Sequence, residues 1–212
     1  MNFYFEIINF SHLDNKSDKP NSMAKEKIPE IKKNYDLYNQ LLRERKSIFK
    51  EVISIQETGN NKHVLEEVID LKHFSYNGNT CLIVNVKINK SNFYQFKLRC
   101  KDAFPMPFFR FDSDGDTHRN YIDGLSVEEQ QITTPHFHYY NEEGVNIAYK
   151  TEPLLDETQK TALEDITLCL QHFFQESNIT SDINDTIEVK IQPEQFPFDT
   201  INPNPHANTI FP

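Results

Sequence analysis

Apolar and polar side chains alternate along most of residues 51–100, and this two-residue period constrains the fold more than any other feature. Four segments carry the alternation: VISIQE, HVLEEVIDLKHF, TCLIVNVKI and NFYQFKLRC. Because successive side chains of a β-strand point to opposite faces, the pattern predicts strands that each have one apolar face. Asn77-Gly78 predicts a type I′ hairpin turn in which both residues take positive φ. The region is therefore predicted to form an antiparallel meander.

Two segments with helical periodicity flank these strands. Between residues 29 and about 50, apolar residues recur every three to four positions, with a proline near the first turn. A second such stretch covers residues 156–175, with Asp156 as a candidate N-cap. Further strands are predicted for FFRFD, TPHFHYY, VNIAYK and DTIEVKIQ. Together these elements predict an α+β fold: an antiparallel sheet of about six or more strands, flanked by an N-terminal helix near 30–49 and a C-terminal helix near 156–175.

The length of 212 residues suits one domain with appended segments, because such a chain can bury a full hydrophobic core. We assign residues 23–192 to a single α+β domain. Residues 1–22 read as a possible extension or linker, and residues 193–212 as a tail rich in proline and asparagine. Met23 could equally be the natural start, in which case the segment before it is an upstream extension.

Composition argues against several classes of protein. The three cysteines are far apart and support neither a disulfide framework nor a cysteine zinc site. No apolar run approaches the roughly 20 residues that span a bilayer, and the N-terminus lacks the basic flank of a signal peptide. The five glycines form no nucleotide-binding fingerprint. We therefore expect a cytoplasmic protein without a membrane partner or a cofactor.

Charge is distributed unevenly within the net value of −10. Residues 1–101 contain 17 Lys/Arg and 12 Asp/Glu, whereas residues 102–212 contain 5 and 20. The first half could therefore contact a polyanion, and the second half a basic partner, although an ordinary solvated acidic surface explains the same imbalance. Three basic residues share one face of the fourth predicted strand and could hold phosphates or face solvent: Lys97, Arg99 and Lys101.

Residues 110–140 hold most of the candidate functional side chains. Strand alternation places Arg110 and Asp112 on one face of FFRFD, and His136, His138 and Tyr140 on one face of TPHFHYY. The intervening positions are aromatic and should face the core: Phe109, Phe111, Phe137 and Tyr139. The connecting loop adds further polar side chains: His118, Asn120 and Asp123. If the two strands pair or neighbour one another, the polar sets converge on one sheet face.

Three interpretations of this cluster remain open. The first is metal-independent cleavage of RNA, with His136 and His138 as the acid/base pair and Arg110 as the phosphate clamp. Imidazole suits this chemistry because its pKa lies near neutrality. In this hypothesis His118 is an auxiliary histidine, Asp112 orients a neighbouring side chain, and Tyr140 donates a hydrogen bond. The substrate-binding groups are Asn120, Lys97, Arg99 and Lys101.

The second interpretation is a metal site. A His-x-His pair with His118 and Asp112 offers three or four nitrogen and oxygen ligands, as a catalytic zinc or a non-haem iron requires. The third is a structural hydrogen-bonded network around Arg110 and Asp112. Our first hypothesis is the ribonuclease without a metal. The alternatives are a non-enzymatic interaction protein, antitoxin-like or inhibitory, and a His/Asp metal-binding protein.

The series FRFDSDGDTHRNYIDG, TPHFHYYNEEG and AYK within residues 109–150 resembles an uncharacterised bacterial and prophage family of unknown function. More distantly, Arg-x-Asp followed by Pro-His-x-His is similar to the TumE-type toxins of toxin–antitoxin systems. That resemblance implies an RNA-cleaving toxin or phage-defence protein with RNA and a cognate antitoxin as partners. Its matched positions are Arg110, Asp112, His136 and His138. This chain is longer and separates the two motifs by an insert over residues 113–134.

Overall fold

The computed structural model describes residues 27–57, 64–87, 93–183 and 187–191. The predicted extension over 1–22 and the tail over 193–212 lie outside the described residues, so both assignments stay predictions. The described residues form five helices: α1 (Pro29–Lys33), α2 (Tyr35–Arg43), α3 (Glu152–Leu155), α4 (Glu157–Ala162) and α5 (Ile166–Glu176). None of these helices is long and apolar enough to cross a membrane.

Twelve strands accompany these helices in the described parts of the chain. They are β1 (Lys46–Ile48), β2 (Val52–Glu57), β3 (Val64–His73), β4 (Thr80–Lys87), β5 (Tyr94–Cys100), β6 (Phe109–Asp112), β7 (His118–Arg119), β8 (Gln131–Ile132), β9 (His136–Tyr140), β10 (Asn146–Tyr149), β11 (Ile179–Ser181) and β12 (Glu188–Ile191). The prediction of an α+β fold is confirmed.

Ten of these strands form one mostly antiparallel sheet. Its main path runs β10-β9-β6-β5-β4-β3-β1-β11, and β2 pairs with β3 and β12 beside that path. Two pairs, β1 with β11 and β2 with β12, are parallel. Strands β7 and β8 form a separate two-stranded ribbon. The predicted antiparallel sheet, with helices from both ends of the domain, is therefore confirmed.

The core lies on the apolar face that strand alternation creates. In β5, Phe96, Leu98 and Cys100 are fully buried, while the intervening polar side chains are half-buried on the opposite face. Helix α5 packs on the core face through Phe173, whose ring centroid lies 5.5 Å from that of Phe96 and 5.4 Å from that of Phe109. Because burying one such ring stabilises the fold by about 1.5–3 kcal/mol, these contacts fix the helix on the sheet.

The first predicted helix, near residues 30–49, is shorter and divided. Asn34 leaves helical geometry at φ −122° and ψ 41°, and it separates α1 from α2. The last residue of α2 is Arg43, and residues 46–48 form β1 rather than a further helical turn. The prediction was wrong beyond this point because β1 pairs with β3 and β11, and these contacts override the local periodicity.

Lys46 stabilises the end of α2 from within the protein interior. Its Nζ atom donates hydrogen bonds to the carbonyl oxygens of Leu41 (2.8 Å), Leu42 (2.9 Å) and Glu44 (2.7 Å). The last carbonyls of a helix have no intrahelical donor, so a buried cation is a suitable partner for them. The side chain is fully buried, as this capping role requires.

The second predicted helix, over residues 156–175, is also interrupted. Asp156 caps α4, as predicted, by accepting a 2.8 Å hydrogen bond from the Gln159 N–H. A second cap, Asp165, accepts hydrogen bonds from the N–H groups of Thr167 and Leu168 and begins α5. Because an N-cap residue takes extended rather than helical dihedrals, Asp165 divides a segment whose apolar periodicity is continuous.

The predicted type I′ turn at Asn77-Gly78 was wrong. Neither residue has positive φ, and the described residues that do lie elsewhere in the chain. Strands β3 and β4 are joined by the longer loop 74–79, in which the Nδ1 atom of His73 accepts hydrogen bonds from the N–H groups of Ser75 (3.3 Å) and Tyr76 (3.2 Å). Gly78 allows a close approach instead, since a Cβ there would lie 2.2 Å from the Tyr76 ring.

Candidate functional site

The polar cluster forms where β6 pairs with β9. The antiparallel register sets Arg110 opposite His138 and Asp112 opposite His136, with Phe111 opposite Phe137 on the other face. Phe109, Phe111 and Phe137 are buried in the core, and Tyr139 packs edge-on against Tyr149. The prediction that Arg110 and Asp112 converge with His136 and His138 on one sheet face is therefore confirmed.

Three ligand-type atoms converge at the centre of the cluster. The Nε2 atoms of His136 and His138 lie 2.8 Å apart. The Oδ2 atom of Asp112 lies 3.0 Å from His138 Nε2 and 3.9 Å from His136 Nε2. Both histidines are buried, at 1% and 2% exposure, and the carboxylate side chain is 13% exposed. The three ligand-type atoms thus lie close together on largely buried side chains.

Arg110 and Gln95 surround the Asp112 carboxylate. The guanidinium Nε atom lies 2.9 Å from Asp112 Oδ2, and its Nη2 atom lies 2.9 Å from His138 Nε2. Gln95 donates its amide N–H to Asp112 Oδ1. Both carboxylate oxygens therefore have polar partners, which stabilises the ionised form of the side chain.

The contacts of His138 Nε2 are chemically incompatible with one another. Arg110 can only donate a hydrogen bond, and an ionised Asp112 can only accept one. If Nε2 of His138 carries a proton, that proton faces the guanidinium N–H; if it does not, its lone pair faces the carboxylate oxygen. One short contact is therefore repulsive in either protonation state. A cation between the nitrogen and the oxygen would relieve the contact of His138 with Asp112 once the guanidinium turns away from His138 Nε2.

Asn146 orients His138 from the neighbouring strand β10. The Nδ1 atom of His138 lies 2.7 Å from Asn146 Oδ1, which is an acceptor, so Nδ1 carries the ring proton. In the neutral ring, Nε2 then presents its lone pair to His136 and Asp112. A hydrogen bond of this kind from the second ring nitrogen is typical of metal-binding histidines.

His118 reaches the same cluster from the β7–β8 ribbon. Its ring centroid lies 4.8 Å from that of His138 and 6.3 Å from that of His136. Its Nε2 atom is buried and has no hydrogen-bond partner among the described residues. A third imidazole therefore lies beside the converging ligand atoms with one nitrogen unused.

Burial sets the protonation states of the cluster. Burial, together with the neighbouring His138, lowers the pKa of His136 to about 4. Burial and His138 also lower the pKa of His118. Burial would raise the pKa of Asp112, but the polar contacts of its carboxylate with His138, Arg110 and Gln95 outweigh this effect, so that pKa is lowered. Neutral imidazoles and an ionised carboxylate are the forms that bind metals.

A cavity of about 510 Å³ adjoins the cluster. Its walls include His118, Arg110 and the loop 114–117. At its edge, the ammonium group of Lys87 lies 3.6 Å above the centre of the Phe93 ring. The volume is within the range of small-molecule sites, so the cluster is both buried and connected to a space that a substrate could enter.

The structure does not bring Tyr140 or Asn120 to the cavity wall. The Tyr140 ring packs edge-on against Tyr38, with centroids 6.2 Å apart, and its N–H donates to Tyr38 Oη at 2.8 Å. Asn120 is buried, and its amide makes two hydrogen bonds with the backbone of Ala148, at 2.7 and 2.9 Å. Asn120 thereby fixes the end of β7 to the edge strand β10.

The three basic residues predicted on one face of β5 have different surroundings. Lys97 lies opposite Arg110 in the adjacent strand, where burial and the arginine charge lower the pKa of Lys97. Arg99 donates to the carbonyl of Pro105 at 3.1 Å, and Lys101 is exposed beyond the end of the strand. Lys97 is thus the member of the row that lies next to the histidine cluster.

Sequence reasoning missed two residues of the cluster, Gln95 and Asn146. Gln95 shares a strand face with Lys97 and lies opposite Asp112, so the alternation of β5 already contained its signal. Asn146 contacts His138 because β10 returns antiparallel to β9, with Ala148 opposite His138. That register depends on the length of the turn between the strands, which strand alternation alone does not specify.

A large antiparallel sheet that carries a buried histidine and aspartate centre defines this α+β domain. The chain belongs to the family of unknown function DUF6978, whose model matches residues 34–179. The match confirms the predicted membership of an uncharacterised family, and the matched range contains the whole cluster. Comparison with curated proteins and with solved structures gave no match. A relationship to TumE-type toxins, a prophage origin and RNA or antitoxin partners stay predictions.

Proposed function

We propose that this domain binds a divalent transition-metal ion through His136 Nε2, His138 Nε2 and Asp112 Oδ2. The observation that supports the proposal is the convergence of these ligand atoms, which all lie within 4.8 Å of one another. Two imidazoles that present lone pairs to each other and to a carboxylate oxygen repel one another unless a proton or a cation lies between them.

The separations of the ligand atoms fit an ion of this kind. Zinc–nitrogen bonds of about 2.0–2.1 Å with tetrahedral angles separate neighbouring ligand atoms by about 3.3–3.4 Å. The observed separations of 2.8, 3.0 and 3.9 Å lie on both sides of that value. Arg110 keeps a partner when an ion occupies the His138 lone pair, because its Nε atom also lies beside Asp112 Oδ2.

The ligand set selects the class of metal and the chemistry. Imidazole nitrogens favour zinc, iron and similar ions, whereas magnesium and calcium prefer sites built from oxygen. A transition metal with an open coordination position lowers the pKa of a bound water to about 7 and polarises a substrate oxygen. The adjoining cavity of about 510 Å³ gives room for such a substrate. Metal-assisted hydrolysis is the reaction class that this arrangement supports.

Elemental analysis of the full chain, purified without a histidine tag, tests the proposal. The expected result is about one zinc or iron per chain, lost in His138→Ala. His172→Gln is the matched control, because His172 is a buried histidine that bonds Thr151 outside the cluster. Equal metal content in the wild type and in His138→Ala would overturn the assignment of these ligands.

A second candidate function is cleavage of RNA, favoured by the cation pair formed by Lys97 and Arg110 beside the histidines. Two cations in register on neighbouring strands suit a phosphate group. The Nε2 atoms of His136 and His138 contact each other, whereas a general acid and a general base each need access to a substrate proton. The 2.8 Å distance between the two Nε2 atoms therefore supports the metal-free mechanism less well than it supports a shared ion.

RNA cleavage with and without a chelator separates the two candidates. Cleavage that persists in chelator and disappears in His138→Ala would support the metal-independent ribonuclease. Cleavage that a chelator abolishes and zinc restores would support RNA as the substrate of the metal centre. Undiminished cleavage by His138→Ala would exclude the histidine cluster from either mechanism.

A further inference from the structure

We infer that His118 is a further ligand of the metal ion, and that metal binding therefore fastens the β7–β8 ribbon to the main sheet. This inference rests on the proposed function, because it concerns the same ion. It adds a ligand from a different structural unit, and it makes the position of that unit depend on the metal.

The ribbon is structurally separate from the sheet that carries the other three ligands. His118 pairs with Ile132 and Arg119 with Gln131, and these two strands form a sheet of their own. The ribbon lies in the connection between β6 and β9, the strands that carry Asp112 and the two central histidines. A ligand from the ribbon would therefore join two units through one ion.

The Nε2 atom of His118 is the feature that points to a ligand. It is buried, and no described residue hydrogen-bonds to it. Leaving such an acceptor without a partner costs about 1–3 kcal/mol, so native proteins rarely do so. Its ring meets His138 edge-on at an interplanar angle of 87°. The other three ligands converge without His118, so a shift of the ribbon toward an ion held by them would satisfy this nitrogen.

A second contact already holds the ribbon at its other side. The amide of Asn120, which follows β7, hydrogen-bonds to both backbone groups of Ala148 in β10. His118 lies two positions earlier, against the cluster. His118 itself also hydrogen-bonds to the backbone of Asn146 in β10. The ion would thus add a further attachment at the cluster to those that already hold the ribbon.

The number of protein ligands sets the accessibility of the ion. With His118 bound, four protein ligands close a tetrahedral site; with the ribbon displaced, three ligands leave one position open to water or substrate. His118 also forms part of the cavity wall, so movement of the ribbon would change both the coordination and the volume of the cavity. The ribbon is in this sense a metal-dependent closure of the site.

Cobalt titration of the full chain tests the inference, because four-coordinate Co²⁺ absorbs visible light strongly and six-coordinate Co²⁺ absorbs weakly. The wild type should give the strong absorption. His118→Ala and the more conservative His118→Gln should still bind Co²⁺, with a shifted visible spectrum because water replaces the imidazole, and with an affinity reduced more than the ~10–100-fold that loss of an outer-shell partner causes. Arg119→Gln is the matched control, because it alters the ribbon at the Arg119–Gln130 hydrogen bond and keeps His118.

Hydrogen exchange gives an independent measurement of the ribbon. Zinc should increase the protection of residues 118–132 in the wild type and in Arg119→Gln, and should not increase it in either His118 variant. Unchanged absorption and unchanged protection in the His118 variants would overturn the inference while leaving the three-ligand site intact. A wild type that binds neither metal would overturn the proposed function and the inference together.

Discussion

The Nε2 atoms of His136 and His138 lie 2.8 Å apart on neighbouring same-face positions of one strand. Along an ideal strand such positions are roughly 6.5–7 Å apart, so the two rings incline toward a common point. Asp112, one strand away, approaches the same point. Because burial keeps His136 neutral near pH 7, its Nε2 atom presents a lone pair or an N–H group, rather than a positive charge, to this point. The relationship explains why a shared cation is the best-supported occupant.

Metal binding should stabilise the domain in a manner that depends on the cluster. Zinc at 100 times its dissociation constant should add about 2.7 kcal/mol, which for a domain of this size raises Tm by about 5–10 °C. His136→Ala should lose this increase, because it removes one of the three ligands, whereas His172→Gln should retain it. Differential scanning calorimetry with zinc and with chelator measures the effect. An equal increase in His136→Ala would show that zinc binds elsewhere.

Asn146 should act as a positioning residue for His138. Asn146→Ala removes the acceptor for the Nδ1 proton, and the metal affinity should fall about 10–100-fold. Asn146→Asp keeps an acceptor and should retain the affinity of the wild type or exceed it. Competition with a chromophoric chelator measures these affinities. If the alanine variant binds as tightly as the wild type, the hydrogen bond does not orient the ring for metal binding.

Lys46 should contribute strongly to stability. Burial lowers the pKa of Lys46 to about 7, while three carbonyl acceptors require all three ammonium hydrogens and favour the charged form. Lys46→Met fills a similar volume but leaves these carbonyls without a donor, so the free energy of unfolding should fall by about 2–4 kcal/mol. Urea unfolding provides the measurement. Lys72→Met, at an exposed position of β3, should change it by less than about 0.5 kcal/mol.

Stability should decrease in mild acid partly through His73. Its Nδ1 accepts two backbone hydrogen bonds, and burial and the Lys46 charge lower its pKa below the ordinary value. The unfolded chain therefore binds a proton near pH 6.5 that the folded chain does not bind. Stability is lost as the pH falls below that value, by at most about 1.4 kcal/mol per pH unit for one proton.

The variant His73→Asn isolates this contribution, because an amide oxygen can accept the same bonds without titrating. Urea unfolding at pH 7.5 and pH 5.5 should show a smaller loss of stability in the variant than in the wild type. The other buried histidines are present in both proteins and contribute to the loss of stability in each. Equal losses would mean that His73 does not contribute to the acid sensitivity.

Much of the fold and site could be predicted from local strand alternation. The sides taken by Arg110, Asp112, His136 and His138 follow from a period of two within each strand. The contacts between strands could not be predicted in this way, because β6 and β9 are separated by the ribbon and its loops. The pairing of β1 with β11 joins residues 46–48 to residues 179–181, a contact between distant segments that no local pattern encodes.

The predictions that differ from the structure at Asp165, at the loop 74–79 and at Asn120 have similar physical causes. Asp165 divides a continuous apolar period because its carboxylate competes for the N–H groups that begin α5. His73 holds the loop 74–79 open where Asn77-Gly78 indicates a tight turn. Asn120 was predicted to bind substrate, and its amide instead contacts the backbone of Ala148. In each case a single polar side chain, in its folded surroundings, decides the local structure.

Anomalous X-ray diffraction from crystals grown with zinc shows whether a metal ion lies between His136, His138 and Asp112. The expected result is a peak at the zinc absorption edge about 2.0–2.1 Å from His136 Nε2 and His138 Nε2, and a similar distance from an oxygen of Asp112. A cluster without such a peak, with the guanidinium of Arg110 still bonded to His138 at saturating zinc, would contradict it.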